Sequence, residues 1–322
     1  MKRFAAAKIN LFLHVGARRA DGYHDLESLA VFARVGDELA FEHADDLSLE
    51  IDGPFAAELS REGDNLVLRA ARALAAFHPP LEAGSKADLH VSAKTASGRG
   101  SDAGTNPLPE TLRVSTLPQG EGGRCAKVRL TKNLPVASGI GGGSADAAAA
   151  LRGLAQLWDL HIEDRALNSI ALSLGADVPV CLLSEPAWME GVGERVTPVS
   201  GLPEIFMVLV NPHVAVSTAR IFGALKDRTG VGQTPKPKNI RDCASLVNYL
   251  RNTSNDLETP ARAEAPVIGD ALNALSQYGA MLSRMSGSGA TCFGLFANKS
   301  DADKASASIS KANPKWWVRG AN

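Results

Sequence analysis

Apolar and polar positions alternate in five short runs of the N-terminal half: AKINLFLHV (7–15), DELAFE (37–42), LSLEID (47–52), ADLHVSA (87–93) and AKVRLT (126–131). A period of two turns one set of side chains inward and the other toward solvent, so each run predicts a half-buried strand. Two stretches carry the helical period instead. NLVLRAARALAAF (65–77) spaces its apolar residues three and four apart, with Asp64 in place to cap it, and ADAAAALRGLAQLW (145–158) reads as an alanine-rich helix. Beyond about Glu185 the texture changes to IFMVLV (205–210), STARIFGALKD (217–227), a Pro/Lys-rich connector TPKPKNIRD (234–242), further helices and a strand-like TCFGLF (291–296). Strands and helices interleave without a regular βαβ repeat, which predicts an α+β protein of two domains, residues 1–188 and 189–322. Residues 94–125 are poor in apolar positions and rich in Gly, Ser and Pro, the composition of a mobile surface insertion.

Composition narrows the range of partners. With 322 residues and 45% hydrophobic content, the chain has material for one large or two ordinary cores. Lys and Arg total 34 against 35 Asp and Glu, so there is no net positive field to hold a nucleic acid or an anionic membrane. Any anion site has to be local. Cys125, Cys181, Cys243 and Cys292 lie more than forty positions apart, a spacing that suits neither zinc nor a disulfide framework and fits a reducing cytoplasm. Lys8 and Asn10 interrupt the apolar start MKRFAAAKINLFLHV, and no small-residue cleavage site or membrane-length run follows. The expectation is a cytoplasmic monomer or weak homodimer.

One local candidate stands out. AKVRL leads through Lys132 and Pro135 into Gly139-Ile-Gly-Gly-Gly-Ser144, with the alanine-rich helix behind. A helix N-terminus leaves N–H groups without partners and favours negative charge, and glycines let a phosphate come close. A flexible turn with Ser144 as an ordinary N-cap is the plainer reading of the same residues. Two known cradles do not match. G-x-x-x-x-G-K-[ST] is absent, and the dinucleotide fingerprint fails because Ser144 replaces its third glycine and Asp159 and Glu163 do not close a second strand.

Three further stretches accompany the loop: AAAKINLFLHVGARRADGYHDLES (5–28), SLGADVPVCLL (173–183) and RMSGSGATCFGLF (284–296). Together they resemble the GHMP kinase superfamily of small-molecule kinases, whose phosphate motif P-x-x-x-G-L-G-S-S-A-A is matched from Pro135 onward with Ile140 in the leucine place. The order AKINLFL, DGYH, GGGSADAA, LGADVPV, GSGAT most resembles the branch that phosphorylates 4-diphosphocytidyl-2-C-methyl-D-erythritol in non-mevalonate isoprenoid synthesis. The likeness spans nearly the whole chain, although residues 94–125 are longer than the hairpin of the family pattern.

The resemblance implies a two-domain α+β kinase with its active site in the interdomain cleft, ATP and Mg²⁺ as cofactors, and transfer of the γ-phosphate to the 2-hydroxyl of that substrate. It makes Asp177 the base that takes the hydroxyl proton and Lys8 its partner at the reacting centre. Pro135, Gly139, Gly141, Gly142, Gly143, Ser144 and Ala145 would hold the phosphates, with Ser144 also a candidate for Mg²⁺. Asn65 and Lys132 would line the adenine pocket. On the acceptor side stand Asn10, Tyr23, His24 and Phe222, the rings stacking a cytosine whose edge the histidine reads, and Gly287, Ser288 and Gly289 form a second loop beside the first.

Each residue also has a plainer role open to it. Asp177 is an acid among apolar neighbours, where an unpaired carboxylate is costly, so a partner such as Lys8 is expected whether the pair is catalytic or structural. Asp177 also suits a turn ahead of Pro179, Asn65 a helix start, Ser286 to Gly289 a hairpin turn, and Phe222 a core position. His24 lies among polar turn residues and is harder to assign to packing. Other functions make different demands. A mevalonate- or homoserine-type kinase has no use for DGYH, a nucleotide-binding regulator without catalysis has none for both Lys8 and Asp177, and a nicotinamide-dependent reductase would bind NADPH and release no ADP.

Overall fold

The computed structural model describes residues 1–59, 65–77, 124–225 and 228–321. Six strands form the first sheet: β1 (Lys2–Arg18), β2 (His24–His43), β3 (Ser48–Asp52), β4 (Ala126–Thr131), β5 (Ala187–Gly191) and β6 (Arg195–Pro198). β1 runs antiparallel along β2, whose other edge is shared by β4 at residues 38–43 and β5 at residues 26–30. β3 adds parallel to β4, and β6 antiparallel to β5. Helices α1 (Ala56–Leu59), α2 (Leu66–Ala75), α3 (Gly142–Leu157), α4 (Asp164–Leu174) and α5 (Val178–Leu183) belong to this half.

The second sheet has the order β10-β7-β9-β8, all antiparallel, from β7 (Phe206–Asn211), β8 (Leu282–Met285), β9 (Cys292–Phe296) and β10 (Trp317–Ala321). Its helices are α6 (Thr218–Gly223), α7 (Cys243–Leu250), α8 (Glu258–Glu264), α9 (Val267–Gln277) and α10 (Lys299–Ala312). The two sheets face each other through Ile9, Leu11, Phe12 and Trp188 on one side and Leu209, Phe293, Leu295 and Trp317 on the other. α2 to α5 cover the outer face of the first sheet, and α8 to α10 that of the second. The result is a helix–sheet–sheet–helix stack, an α+β fold.

The alanines of α3 serve close packing. A Cβ on Gly153 would lie 2.4 Å from the Phe41 ring, so the helix rests almost directly on β2.

Several boundaries differ from the sequence pattern. β2 begins at the His24 of DGYH rather than at Asp37, because Leu29, Ala30 and Val31 are all buried and the strand's first half has no alternation to read. Asn65, not Asp64, caps α2, its Oδ1 accepting from the Val67 N–H at 2.8 Å. Asp64 lies outside the described residues. α3 starts at Gly142, three positions ahead of the expected alanine run, and its N-cap is Gly141 rather than Ser144. The expected 188/189 division falls inside β5, whose pairing with β2 and β6 keeps residues 187–198 in the first sheet. ADLHVSA and residues 94–123 of the expected insertion lie outside the described residues.

Candidate active site

Lys8 and Asn10 stand on β1 between register shifts at Ala6/Lys8 and Asn10/Phe12. Bulges re-aim side chains locally. While Ala7, Ile9 and Leu11 pack between the sheets, Lys8 and Asn10 line a cleft of about 430 Å³ reached by both halves of the molecule. Lys8 Nζ donates to Asp177 Oδ2 at 2.8 Å. The lysine side chain is 4% exposed and the aspartate 41%, so the pair has a buried cation and a carboxylate open to the cleft. Asp177 is the N-cap of α5 but makes no side-chain capping bond. Its remaining lone pairs are free to accept a proton from a bound hydroxyl.

The glycine loop meets this pair. Gly141 has φ 64°, and no side chain caps α3, so the first-turn N–H groups open toward the cavity. A Cβ on Gly141 would approach Lys8 Cε to 3.2 Å. At Gly139, φ 75°, a Cβ would lie 2.5 Å from the Ser286 carbonyl and 2.7 Å from the Gly289 nitrogen, so the two glycine loops touch with no room for a side chain. Ser286 fastens them: its hydroxyl accepts from the Asn10 N–H and donates to the Gly139 carbonyl, each at 3.1 Å. Behind it, Asn255 Nδ2 donates to the Met285 and Gly287 carbonyls at 2.8 Å.

Most residues singled out from the sequence reach the cavity wall. Pro135, Gly139, Gly141, Gly142, Gly143 and Ser144 form one side, Asn65 and Lys132 stand next to them, and Phe222, Gly287 and Ser288 come from the second half. Ala145 does not. It faces a separate groove on the far side of α3, because a residue at the helix's fourth position has turned away from its N-terminal opening. Gly289 packs under the loop against Gly139 rather than on the wall. Tyr23 is 62% exposed at the β1–β2 turn. The ring that faces Phe222 is that of His24, with centroids 5.5 Å apart.

Lys132 has a different setting from the one expected. Its ammonium is buried between Asp37 and Asp146, bonded to both, the latter at 2.7 Å. Burial alone would lower its pKa, but the two carboxylates outweigh burial and raise it. Burial pushes the Asp146 carboxyl up to about 7, against a lowering by Lys132. A carboxyl raised from 3.8 to about 7 on folding supplies stability that is full below pH 3.8 and lost as pH rises through about 7. Asp146→Asn is therefore expected to remove a falling component of stability between those pH values. Urea denaturation of both proteins from pH 4 to 8 checks it, and a difference that does not change with pH contradicts it.

Sequence reasoning missed Asp37, Asp146, Ser28, Thr218 and Asn255. Ser28 accepts from Asn10 Nδ2 at 2.7 Å, and Thr218 shares a 2.8 Å hydroxyl contact with Ser288. Asp146 had a signal, as a lone acid in an alanine run. The others are single polar residues within ordinary segments. Among the described residues no helix is long and apolar enough to cross a membrane, and no cluster of three or more His, Cys, Asp or Glu residues is placed to hold a metal.

An uncapped helix end facing a lysine–carboxylate pair in a cleft suits phosphoryl transfer to a small molecule, and the class is that of ATP-dependent small-molecule kinases. Residues 112–185 match the GHMP kinases N terminal domain and residues 238–315 the GHMP kinases C terminal domain. The 4-diphosphocytidyl-2-C-methyl-D-erythritol kinase of Ruegeria pomeroyi is 46% identical over 98% of this chain and 97% of its own length. A crystal structure of 4-(cytidine 5'-diphospho)-2C-methyl-D-erythritol kinase aligns over 100% of this chain and 98% of that one, with TM-score 0.68 and 28% identity. A homoserine kinase from Cytophaga hutchinsonii aligns over 100% of this chain and 94% of that one at TM-score 0.63, but at 17% identity it shares the fold alone. The chain belongs to the GHMP kinases, in the family of 4-diphosphocytidyl-2-C-methyl-D-erythritol kinases.

Proposed function

We propose that the chain transfers the γ-phosphate of ATP to the 2-hydroxyl of 4-diphosphocytidyl-2-C-methyl-D-erythritol, in the non-mevalonate route to isoprenoid precursors. The observation that carries this reading is the Lys8–Asp177 pair opening on the same cavity as the uncapped glycine loop. Phosphoryl transfer asks a protein mainly to align the acceptor and neutralise charge on the moving group. The first-turn N–H groups of α3 hold the phosphates, Asp177 takes the hydroxyl proton, and Lys8 orients that carboxylate beside the transferring group. Mg²⁺ would supply positive charge to offset that of the phosphates. The Ser144 hydroxyl on the wall is the protein group that would help to hold it. Sheet membership supports a domain division just after Pro198. Phosphorus NMR of the product tests the reaction: one new phosphate monoester on the 2-position is expected, and phosphate elsewhere or none contradicts it.

The acceptor's base is recognised by His24. A carbonyl only accepts, so the 3.2 Å contact with the Gly16 carbonyl makes His24 Nδ1 the donor and leaves Nε2 an acceptor. The 4-amino group of cytosine donates to such an acceptor, whereas the corresponding oxygen of uracil repels it. Phe222 supplies a ring face on the cavity wall, with Tyr23 able to close over the base from the exposed turn, and stacking accepts any base. His24→Ala is expected to lower kcat/KM for the cytidylated substrate about tenfold to a hundredfold, from about 1–3 kcal/mol of lost pairing, with the KM for ATP unchanged. Unchanged preference for cytidyl over uridyl substrate would place base reading elsewhere.

A further inference from the structure

The cluster of Asp37, Lys132 and Asp146 has no part in the chemistry assigned to Lys8 and Asp177, yet it touches both ends of the phosphate loop. Asp37 Oδ1 accepts from the N–H groups of Asn133 at 2.6 Å and Leu134 at 2.8 Å, while its Oδ2 accepts from the Lys132 ammonium. The chain entering the loop is thus held by β2. The same ammonium donates to Asp146 Oδ2 at 2.7 Å, in the second turn of α3, so the chain leaving the loop is held as well. Residues 135–141 close between these attachments. A Cβ on Gly142 would lie 3.1 Å from Lys132 Nζ, which puts the ammonium directly against the first turn of the helix.

Building on the reading of this cavity as the ATP site, we propose that Asp37 and Asp146 are positioning residues that act through Lys132, fixing both ends of the phosphate loop so that nucleotide affinity depends on them. A loop held at both ends has lost its alternative conformations before the nucleotide arrives, and a loosened loop loses them on binding. The two acids answer differently to an amide. Both oxygens of Asp37 accept, so an asparagine there turns its NH₂ toward either the ammonium or the two backbone N–H groups, and the attachment fails. Asp146 Oδ1 has no partner among the described residues. An asparagine there keeps its oxygen on Lys132 and turns its NH₂ to the side where Oδ1 has no hydrogen-bond partner.

The test titrates a fluorescent N-methylanthraniloyl ADP into the unaltered protein and into Asp37→Asn, Asp146→Ala and Asp146→Asn, and measures kcat at saturating ATP for each. Asp37→Asn and Asp146→Ala are expected to raise Kd roughly tenfold with kcat within about twofold, and Asp146→Asn to restore a Kd near the original. A lower melting temperature with Kd unchanged in the first two overturns the proposal, as does a Kd in Asp146→Asn as weak as in Asp146→Ala. If Asp37→Asn does not fold, the two Asp146 variants decide. Failure of the unaltered protein to bind the nucleotide overturns the ATP-site reading itself, and the positioning role with it.

Discussion

Asp177→Asn is expected to lower kcat by at least about a hundredfold, the low end for a positioned general base, with ATP binding and the fold retained. The substitution is nearly isosteric, and Asp177 lies at the mouth of the cleft rather than in the core. An asparagine oxygen still accepts from Lys8 Nζ, so the 2.8 Å contact survives in altered form. What disappears, on the proposed role of Asp177, is a site for the proton leaving the acceptor hydroxyl. Single-turnover measurements isolate the step, because product release then does not limit the rate. Near-normal turnover would reduce the Lys8–Asp177 pair to a structural bridge.

Lys132→Met carries the second large effect, on stability. Removing the ammonium leaves Asp37 and Asp146 facing each other, buried and without their common partner. Breaking a buried ionic group by deleting one member costs about 3–5 kcal/mol, because the remaining charge has no compensation. Methionine fills the volume of the lysine stem, so cavity formation adds little. Urea denaturation of both proteins measures the loss, and because Lys132 holds the Asp146 pKa down, its removal pushes that carboxyl further up. A change within the ordinary range of surface substitutions, about 0.5 kcal/mol, would contradict the burial of this charge.

The parts of the site that could be read from the sequence are those where local pattern and function coincide. Lys8 and Asn10 are the polar members of an alternating strand, and the same alternation that buries Ile9 and Leu11 turns them to the cleft. The glycines of the loop ahead of α3 announce themselves because only glycine suits φ 75° at Gly139 against a neighbouring backbone. Glycine also disguised the helix start. Three glycine and serine positions of low propensity open α3, and tertiary packing rather than propensity holds them there. Asp37 contacts Leu134 across 97 positions, and Asn255 braces a loop 30 positions away. Nothing in a single chain marks such partners, because each is one polar residue in an otherwise unremarkable segment. The proposed base recognition rests on the same mixture: DGYH singles out His24, but its pairing with Gly16 and its place opposite Phe222 depend on how β1 and β2 turn.

The most direct measurement couples ADP release to a spectroscopic readout, with ATP and Mg²⁺ fixed and the acceptor varied among 4-diphosphocytidyl-2-C-methyl-D-erythritol, mevalonate and homoserine. The expected result is ADP formed one-for-one with the cytidylated acceptor, and release with the other two no faster than with no acceptor. Equal or faster release with mevalonate or homoserine, or none above background with the cytidylated alcohol, would contradict the assignment.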